Sequence, residues 1–316
     1  MIDPKSSESV SDYSGFDFAR RWNGRGKVTE VERAILSGAL RAGDRRRYLE
    51  VGSGFGRLSA TIAAQCEELV MTDFDVMALA RPALKMKSPA PRRVAANLYH
   101  LPFVDGTFTG ASMIRVYHHL DAPDLAMTEL SRVLRPGSLL IVSYNPKPSV
   151  GTLVSDVRRA LRSSTSSSLG SVTFSRGVSR IAPDPFPVRV ASRRDFARTA
   201  ASAGFDTELE FATGLEEFSG LRRLPASWFV HFAETFGNAP GLPTRFAVLR
   251  KRTGPAPPWV APDRLWACPK CARALPDPEH AEVVRCAGCD FSGTHYDGVL
   301  DLRYRPPGAA LWEVGA

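Results

Sequence analysis

A short apolar segment followed by a loop with glycine at every second position constrains the fold of this chain more than any other feature. Residues 48–51 are Tyr-Leu-Glu-Val, and Gly52, Gly54 and Gly56 follow, before an apolar stretch at 58–66 with helical spacing. Glycine lets the backbone approach a ligand closely, and a helix N-terminus offers free N–H groups. A strand, a glycine loop and a helix are together the parts of a nucleotide-type ligand site.

Apolar strands and amphipathic helices alternate along the chain from residue 46 onward. The predicted strands are 48–51, 69–72, 93–96, 110–116, 138–144, 205–213 and 244–251, and the predicted helices are 58–66, one beginning near Asp75, 122–134, and one from Ser192 to Gly204. This order is typical of an α/β fold with a mostly parallel sheet and helices on both faces.

Shifts in composition divide the 316 residues into segments. We expect a helical arm at 1–44 that packs over the glycine loop, a main domain at 45–252 with an insertion at 145–190, a proline-rich linker at 253–262, a ribbon at 263–303 and a tail at 304–316. A proline-rich linker is a stiff spacer, so the sequence predicts two separate folding units.

Four of the five cysteines form two CxxC pairs. Cys268, Cys271, Cys286 and Cys289 leave 14 residues between the pairs, one short of the commonest range but within tolerance for a closed tetrahedral structural zinc site. A ribbon of about 40 residues buries little core by itself, so the metal would supply much of its folding energy. We interpret Cys66 as a core residue of the predicted helix at 58–66.

Charge and cysteine usage bear on location and partners. The net charge is +8, and only seven of the 41 basic residues are lysine, so arginine predominates. Arginine suits phosphate contact, which keeps RNA open as a partner. No apolar run reaches the ~18 residues that span a bilayer, the first residues lack a secretory pattern, and CxxC pairs suit a reducing compartment. We therefore expect a cytoplasmic protein; no pattern specifies its oligomeric state.

The glycine spacing and the nearby carboxylates narrow the choice of ligand. The dinucleotide fingerprint G-x-G-x-x-G would need a third glycine at position 57, where this chain has Arg57. The observed spacing is G-x-G-x-G, preceded by Glu50. Asp73 ends the next strand, where its two oxygens can accept from both hydroxyls of a ribose, a placement that fits both kinds of loop. Asp75 is better placed as a helix cap.

Four ordered elements resemble class I S-adenosylmethionine (AdoMet) dependent methyltransferases. They lie at 49–56, 71–73, 101–108 (LPFVDGTF) and 129–137 (ELSRVLRPG), and the last two are most similar to quinone-biosynthesis methyltransferases. The resemblance implies a Rossmann-like class I methyltransferase sheet with helices on both faces, followed by a small C-terminal zinc ribbon. It also implies AdoMet and structural Zn²⁺ as the cofactors.

The resemblance carries cofactor-binding roles onto eight positions: Glu50, Gly52, Ser53, Gly54, Gly56, Asp73, Asn97 and Leu98. The glycine loop would cradle the methionine and ribose parts of AdoMet, with Glu50 orienting it. Asp73 would hold the ribose, and Asn97 and Leu98 would flank the adenine. The related sequences commonly have aspartate where this chain has Asn97, and an amide can also donate to or accept from the adenine edge.

Candidate catalytic residues follow the predicted strand 110–116, because parallel sheets expose functional groups at the carboxyl ends of their strands. They are Arg115, Tyr117, His118 and His119. Methyl transfer is an in-line displacement that needs alignment and exclusion of water, and a base only when the attacking atom carries a proton. Adjacent histidines are expected to point to different sides, so at most one would face the site; helix capping or packing is the alternative role.

Three readings of the function remain open from the sequence. The first is methyl transfer to a small-molecule or lipid-like acceptor, with the insertion at 145–190 as a lid. The second is an RNA methyltransferase that docks its substrate through the ribbon and an arginine-rich surface. The third is a non-catalytic scaffold with the ribbon as a docking module, although the intact glycine loop and Asp73 favour cofactor binding.

Overall fold

A computed structural model of the chain describes residues 9–12, 17–81, 90–147, 178–179, 188–237, 242–278 and 281–313. The insertion expected at 145–190 lies mostly outside these residues, and so does the lid proposed for it. Among the described helices, none is long and apolar enough to cross a bilayer.

The described elements alternate through most of the chain. In order they are β1 (Ser9–Asp12), α1 (Phe18–Arg21), α2 (Gly26–Arg41), β2 (Arg47–Val51), α3 (Ser59–Ala63), β3 (Glu68–Asp73), α4 (Val76–Ala80), β4 (Arg92–Ala95), β5 (Phe108–Met113), α5 (Pro123–Val133), β6 (Leu134–Tyr144), β7 (Val178–Ser179), β8 (Val188–Arg189), α6 (Arg193–Ser202), β9 (Phe205–Thr213), α7 (Ala226–Phe236), β10 (Thr244–Lys251), β11 (Val283–Arg285), β12 (Ser292–Tyr296), β13 (Val299–Asp301) and β14 (Ala310–Glu313).

Ten of these strands form one sheet in the order β11-β12-β13-β4-β3-β2-β5-β6-β10-β9. Strands β4, β3, β2, β5 and β6 are parallel, and β10 and β9 continue the sheet antiparallel. Every residue of β2 and β5 is buried, as expected where helices cover both faces of a parallel sheet. The α/β fold predicted from the sequence is confirmed.

Strand β5 ends three residues earlier than the sequence predicts. The predicted strand covers 110–116, whereas the observed strand is Phe108–Met113 and a 3₁₀ turn follows at Tyr117–His119. Arg115 lies between them with a φ of 63°, in the left-handed region that non-glycine residues rarely adopt. This conformation turns the chain out of the sheet and sets the direction of the side chains that follow.

The helix after β3 begins where the sequence places its cap. Asp75 Oδ1 accepts the backbone N–H groups of Met77 at 2.9 Å and Ala78 at 3.1 Å, which satisfies donors that a helix N-terminus leaves free. The helix predicted at 58–66 is shorter than expected, since α3 covers only Ser59–Ala63.

The ribbon joins the main sheet instead of forming a sheet of its own. Strand β13 pairs in parallel with β4, and β12 and β11 extend the sheet beyond it. Two backbone hydrogen bonds connect the start of the ribbon to the segment after β4: Val104 N–H to Leu265 O and Ala267 N–H to Pro102 O, both at 3.0 Å. The side chain of Trp266 lies 1% exposed, with its ring 5.6 Å from that of Phe103.

The proline-rich linker lies against the main domain through Trp259. The guanidinium groups of Arg46, Arg47 and Arg135 lie 4.7, 4.9 and 5.5 Å from the Trp259 ring, within the range of cation–π attraction. Arg135 Nη2 also donates to Pro257 O at 2.8 Å. The picture of two separate folding units therefore differs from the structure, because a ribbon too small to bury its own core shares the core of the main domain.

The shared core predicts that a cavity at Trp266 destabilises the whole chain. Trp266→Ala should lower the free energy of unfolding by about 3–5 kcal/mol and keep a single transition, measured by denaturant unfolding followed through both far-UV circular dichroism and tryptophan fluorescence. Trp259→Ala is the matched control, since Trp259 is 43% exposed and its loss should cost about 1 kcal/mol or less. An early transition confined to the ribbon, with the main domain unaffected, would contradict the shared core.

Candidate functional site

The glycine loop leaves β2 with a backbone conformation that favours glycine. Gly52 and Gly54 have φ values of 64° and 53°. A Cβ at Gly52 would lie 2.1 Å from Val116 Cγ2, whereas one at Gly54 would meet no atom within 4 Å. Ser53 N–H donates to Thr72 O at 3.0 Å and fastens the loop to β3. The loop is therefore held on one side and faces open space at Gly54, as a cradle for a ligand requires.

Asp73 connects the glycine loop to the loop after β3. Its Oδ2 accepts the N–H of Gly54 at 2.8 Å, and its Oδ1 accepts the N–H of Asp75 at 2.9 Å. Each carboxylate oxygen retains a lone pair, so the group can also accept from the two hydroxyls of a ribose. Burial raises the pKa of Asp73 to about 6, which places its titration close to neutral pH.

Glu50 lies beneath the glycine loop at the end of β2. It is 6% exposed and accepts a hydrogen bond from the hydroxyl of Ser59 in α3. Burial raises the pKa of Glu50 to about 7, although the Ser59 hydrogen bond opposes the shift. A carboxyl that is half protonated near neutrality gains its charge readily when a cation approaches.

A buried ion cluster locks the helical arm over the glycine loop. Glu32 of α2 is 1% exposed and lies 2.5 Å from Arg57 Nη2 and 2.7 Å from Arg115 Nε. The Arg57 guanidinium lies 3.7 Å from the centre of the Trp22 ring. Burial would raise the pKa of Glu32, but the two arginines lower it below its usual value. The predicted packing of the arm over the loop is confirmed.

Sequence reasoning missed this cluster, although it left a signal. Glu32 is a carboxylate on the apolar face of α2, among Val28, Val31 and Ile35. Charged side chains are almost never fully buried unless they are paired. The sequence could not name the partners, which come from the glycine loop and from the turn after β5.

Arg115 has a structural partner at each of its ends. Its backbone N–H donates to Ser143 Oγ at 2.7 Å, and its guanidinium contacts Glu32 and, at 3.5 Å, Glu217. These contacts hold the left-handed backbone in place. A catalytic role for Arg115 stays a prediction, and its contacts show a residue that joins β5, β6 and the arm.

The two adjacent histidines lie side by side. Their ring centroids are 4.0 Å apart at an angle of 48°, so the expectation that they point to different sides is wrong. The reason is the 3₁₀ turn, which replaces the extended backbone on which that expectation rested. His118 is 9% exposed and His119 is half-buried, and a catalytic role for either stays a prediction.

Tyr117 belongs to an aromatic cluster at the carboxyl ends of β5 and β6. The Tyr144 and Phe196 rings stack at 4.2 Å, and the Tyr117 ring meets Phe196 edge-on at 5.2 Å. Burial raises the pKa of Tyr117 to about 12. The three side chains are buried in the core next to the histidine pair, and the high pKa disfavours Tyr117 as a base at neutral pH.

Asn97 and Leu98 follow β4, on the side of the sheet next to the ribbon. The Asn97 side chain is 1% exposed; its Oδ1 accepts from Tyr99 N–H and its Nδ2 donates to Tyr304 O, both at 3.0 Å. The amide thus joins the main domain to the chain leaving the ribbon, and little of it is open to a ligand. Contact of Asn97 with adenine stays a prediction, and the half-buried Leu98 offers the apolar surface nearby.

The four cysteines of the ribbon converge as the sequence predicts. The Sγ atoms of Cys268 and Cys289 are 3.6 Å apart, those of Cys271 and Cys286 are 3.5 Å apart, and all four lie within 4.8 Å of one another. Zinc–sulfur bonds of about 2.3 Å in a tetrahedron require sulfur atoms about 3.8 Å apart. The donor set therefore fits a structural zinc ion. Cys66 is half-buried, and burial raises the pKa of its thiol to about 12, in keeping with a core role.

Comparison with known proteins gives matches over the same region. The model of a methyltransferase domain family matches residues 49–142. The chain is 29% identical to the O-methyltransferase rstn1 of Aspergillus nomiae over 155 residues. This alignment covers 45% of this chain and 68% of that protein. The chain is 30% identical over 138 residues to a demethylmenaquinone methyltransferase of Beutenbergia cavernae, covering 42% of this chain and 56% of that protein. The chain therefore spans little more than half of the length of this second relative.

A solved structure shows a similar fold. It is a complex between the Trm112 methyltransferase activator of Haloferax volcanii and a protein described as a methyltransferase, with a TM-score of 0.50 and 13% identity. The match covers 75% of this chain and 96% of the matched chain. At this identity the likeness concerns the fold alone.

The family match covers β2 to β6, the strands whose carboxyl ends carry the glycine loop and Asp73. The site geometry and the sequence relatives thus agree on a methyltransferase domain over residues 49–142 of this chain.

Proposed function

We propose that the protein transfers a methyl group from AdoMet to a small-molecule or lipid-like acceptor by in-line displacement. The observation that carries the proposal is the pair of hydrogen bonds at Asp73, which hold the glycine loop open while leaving acceptor capacity for a ribose. The sequence relatives support it, because one is named an O-methyltransferase and another a demethylmenaquinone methyltransferase.

The residues around the loop fit the charge of this cofactor. AdoMet, when bound, supplies an electrophilic methyl group on a positively charged sulfur. Glu50 offers a carboxylate beneath the loop that can balance this charge. Glu32 and Glu217 together offset the charges of Arg57 and Arg115, which would otherwise repel a cation at this position. We propose that the arm above them helps to exclude water from the bound cofactor.

An apolar acceptor fits the surroundings of the transferred methyl group. The cluster of Tyr117, Tyr144 and Phe196 lies at the carboxyl ends of β5 and β6, beside the histidine pair. These rings are 1–5% exposed, so they give this side of the site an apolar backing. We propose that His118 or His119 takes a proton from the acceptor when the attacking atom carries one.

The structure weakens the argument for RNA binding that the high arginine content of the sequence suggests. Many arginines are paired within the chain: Arg47 with Glu68, Arg132 with Glu129 and Asp105, Arg189 with Asp121, Arg193 and Arg245 with Glu210, Arg250 with Glu208, and Arg303 with Asp301. A paired guanidinium has fewer donors left for phosphate. We propose that the four cysteines hold a structural zinc ion and that the ribbon serves the fold.

The acceptor class can be identified with methyl-labelled AdoMet. The protein is incubated with the label and a cell lysate, and label is counted in the RNA, protein and solvent-extractable fractions. With the wild-type protein we expect label in the solvent-extractable fraction. With Asp73→Asn we expect no label above background in any fraction. Label in RNA would overturn the small-molecule proposal, and label in no fraction would favour the non-catalytic reading.

Replacing Asp73 by asparagine should weaken AdoMet binding sharply. Both carboxylate oxygens accept a backbone N–H, whereas asparagine would turn an NH₂ group toward one of them, at a cost of about 1–3 kcal/mol. We expect an affinity lower by about ten- to a hundredfold, measured by calorimetry. Asp263→Asn, at the exposed first residue of the ribbon, is the matched control and should bind as the wild type does.

Titration of Glu50 should make both the free energy of unfolding and the affinity for AdoMet change with pH. Its pKa of about 7 in the folded chain exceeds its ordinary value of 4.5, so the folded state binds the proton more tightly. Its contribution to stability is full below pH 4.5 and is lost as the pH rises through 7. The affinity for AdoMet should instead rise as the pH increases through about 7, because the carboxyl of Glu50 then becomes charged.

Comparison of Glu50→Gln with the wild type isolates this effect. Unfolding free energy without ligand and AdoMet affinity are measured from pH 4.5 to 8.5, with the exposed Glu67→Gln as the control. We expect both pH profiles to become shallower in Glu50→Gln only, with the remaining slope coming from Asp73, whose pKa is raised to about 6. Identical profiles for the wild type and Glu50→Gln would show that Glu50 does not titrate in this range.

A further inference from the structure

The chain leaves the ribbon directly beside the residues assigned to the adenosine half of the cofactor. Leu302 N–H donates to Ala95 O at 2.9 Å, and the next residue, Ala96, donates its N–H to Asp73 O at 2.9 Å. Two hydrogen bonds therefore connect the last strand of the ribbon to the backbone of Asp73. Strand β13, pairing Asp301 with Ala95, brings this segment to the carboxyl end of β4.

Arg303 holds the residue that follows Asp73. Its Nη1 donates to Phe74 O at 3.3 Å, and its guanidinium lies 5.4 Å from the Phe74 ring. Asp301 orients the guanidinium through two contacts, Nε to Oδ1 at 2.9 Å and Nη2 to Oδ2 at 2.6 Å. The ribbon thereby restrains the backbone and the ring next to the carboxylate that we assign to the ribose.

Tyr304 makes a second connection, to the loop after β4. Its carbonyl accepts the hydrogen bond from Asn97 Nδ2 at 3.0 Å, and its ring meets His100 edge-on at 5.3 Å. Asn97 is 1% exposed, so displacement of Tyr304 would leave a buried amide N–H without this acceptor. A buried donor without a partner is costly, which couples the position of this loop to that of the ribbon.

The cysteine cluster is linked to the same segment. Cys286 N–H donates to Phe291 O at 3.0 Å, and the Phe291 ring meets the Tyr304 ring edge-on at 6.5 Å. Strand β12 begins at the next residue and pairs with β13. The order of the cysteine knuckles is therefore transmitted to residues 301–304 through one hairpin.

We infer that residues 301–304, where the ribbon passes into the tail, form the adenine-side wall of the AdoMet site, so that a metal ion on the four cysteines raises the affinity for AdoMet. Arg303 is the positioning residue of this wall, since it acts on the cofactor site through Phe74. The inference rests on the proposed function and adds that occupancy of the cysteine site by metal regulates the affinity for AdoMet. A ribbon that only stabilised the fold would not need these contacts at Phe74 and Asn97.

The first test replaces Arg303 in the full chain with its metal in place. Arg303→Ala should raise the Kd for AdoMet about tenfold, measured by calorimetry, while Arg305→Ala, an exposed neighbour, changes it less than about twofold. Metal content without AdoMet should match the wild type in both variants, and far-UV circular dichroism should show both to be folded under the conditions of the titration. Unchanged affinity in Arg303→Ala would overturn the inference and leave the proposed function standing.

The second test uses the wild-type chain, which avoids variants that fail to fold. Hydrogen–deuterium exchange is followed without AdoMet as a chelator removes the metal, and again after Zn²⁺ is restored. We expect faster exchange at 73–75 and 95–98 together with the ribbon, a higher Kd for AdoMet, and reversal by Zn²⁺. Exchange that changes in the ribbon alone would overturn the inference. If the metal-loaded wild type bound no AdoMet, the proposed function would fail as well.

Discussion

The carboxylate of Asp73 is the contact on which the rest of the site depends. The carboxylate accepts backbone N–H groups from the glycine loop and from the loop that starts α4. The backbone carbonyl of Asp73 accepts the N–H of Ala96, in the segment after β4. Three neighbouring loops at one edge of the sheet thus meet at a single residue. Hydrogen bonds to a charged acceptor are roughly twice as strong as neutral ones, which explains how short loops can keep a defined shape around open space.

The ribbon solves two problems at once. Strand β4 would be an exposed edge of the parallel sheet, and exposed edges invite pairing with other chains; β13 covers it. The ribbon in turn gains a core, because Trp266 packs against Phe103 of the main domain. A lobe this small cannot bury enough apolar surface alone. The same strand pairing brings Arg303 and Tyr304 to the cofactor side of the sheet, so stability and site geometry share one interface.

Local patterns predicted the local features well. The glycine loop, the Asp75 cap and the four cysteines each depend on residues close in sequence, whose backbone preferences and spacing act directly. The ion cluster of Glu32, Arg57 and Arg115 could not be predicted, because its members come from three elements. The predicted orientation of His118 and His119 is wrong, because the turn that carries them depends on the left-handed conformation of Arg115.

The sequence by itself determined the order of strands and helices, the glycine loop with its carboxylates, and a four-cysteine donor set. Hydrophobic periodicity, glycine conformational freedom and ligand spacing are properties of short segments, so they can be read without a fold. Only the tertiary structure decided that the ribbon extends the main sheet, and that Asn97 bonds to Tyr304 across 207 residues of chain. Such a pairing depends on which buried groups need partners once the core has formed, and that is a property of the whole packed chain.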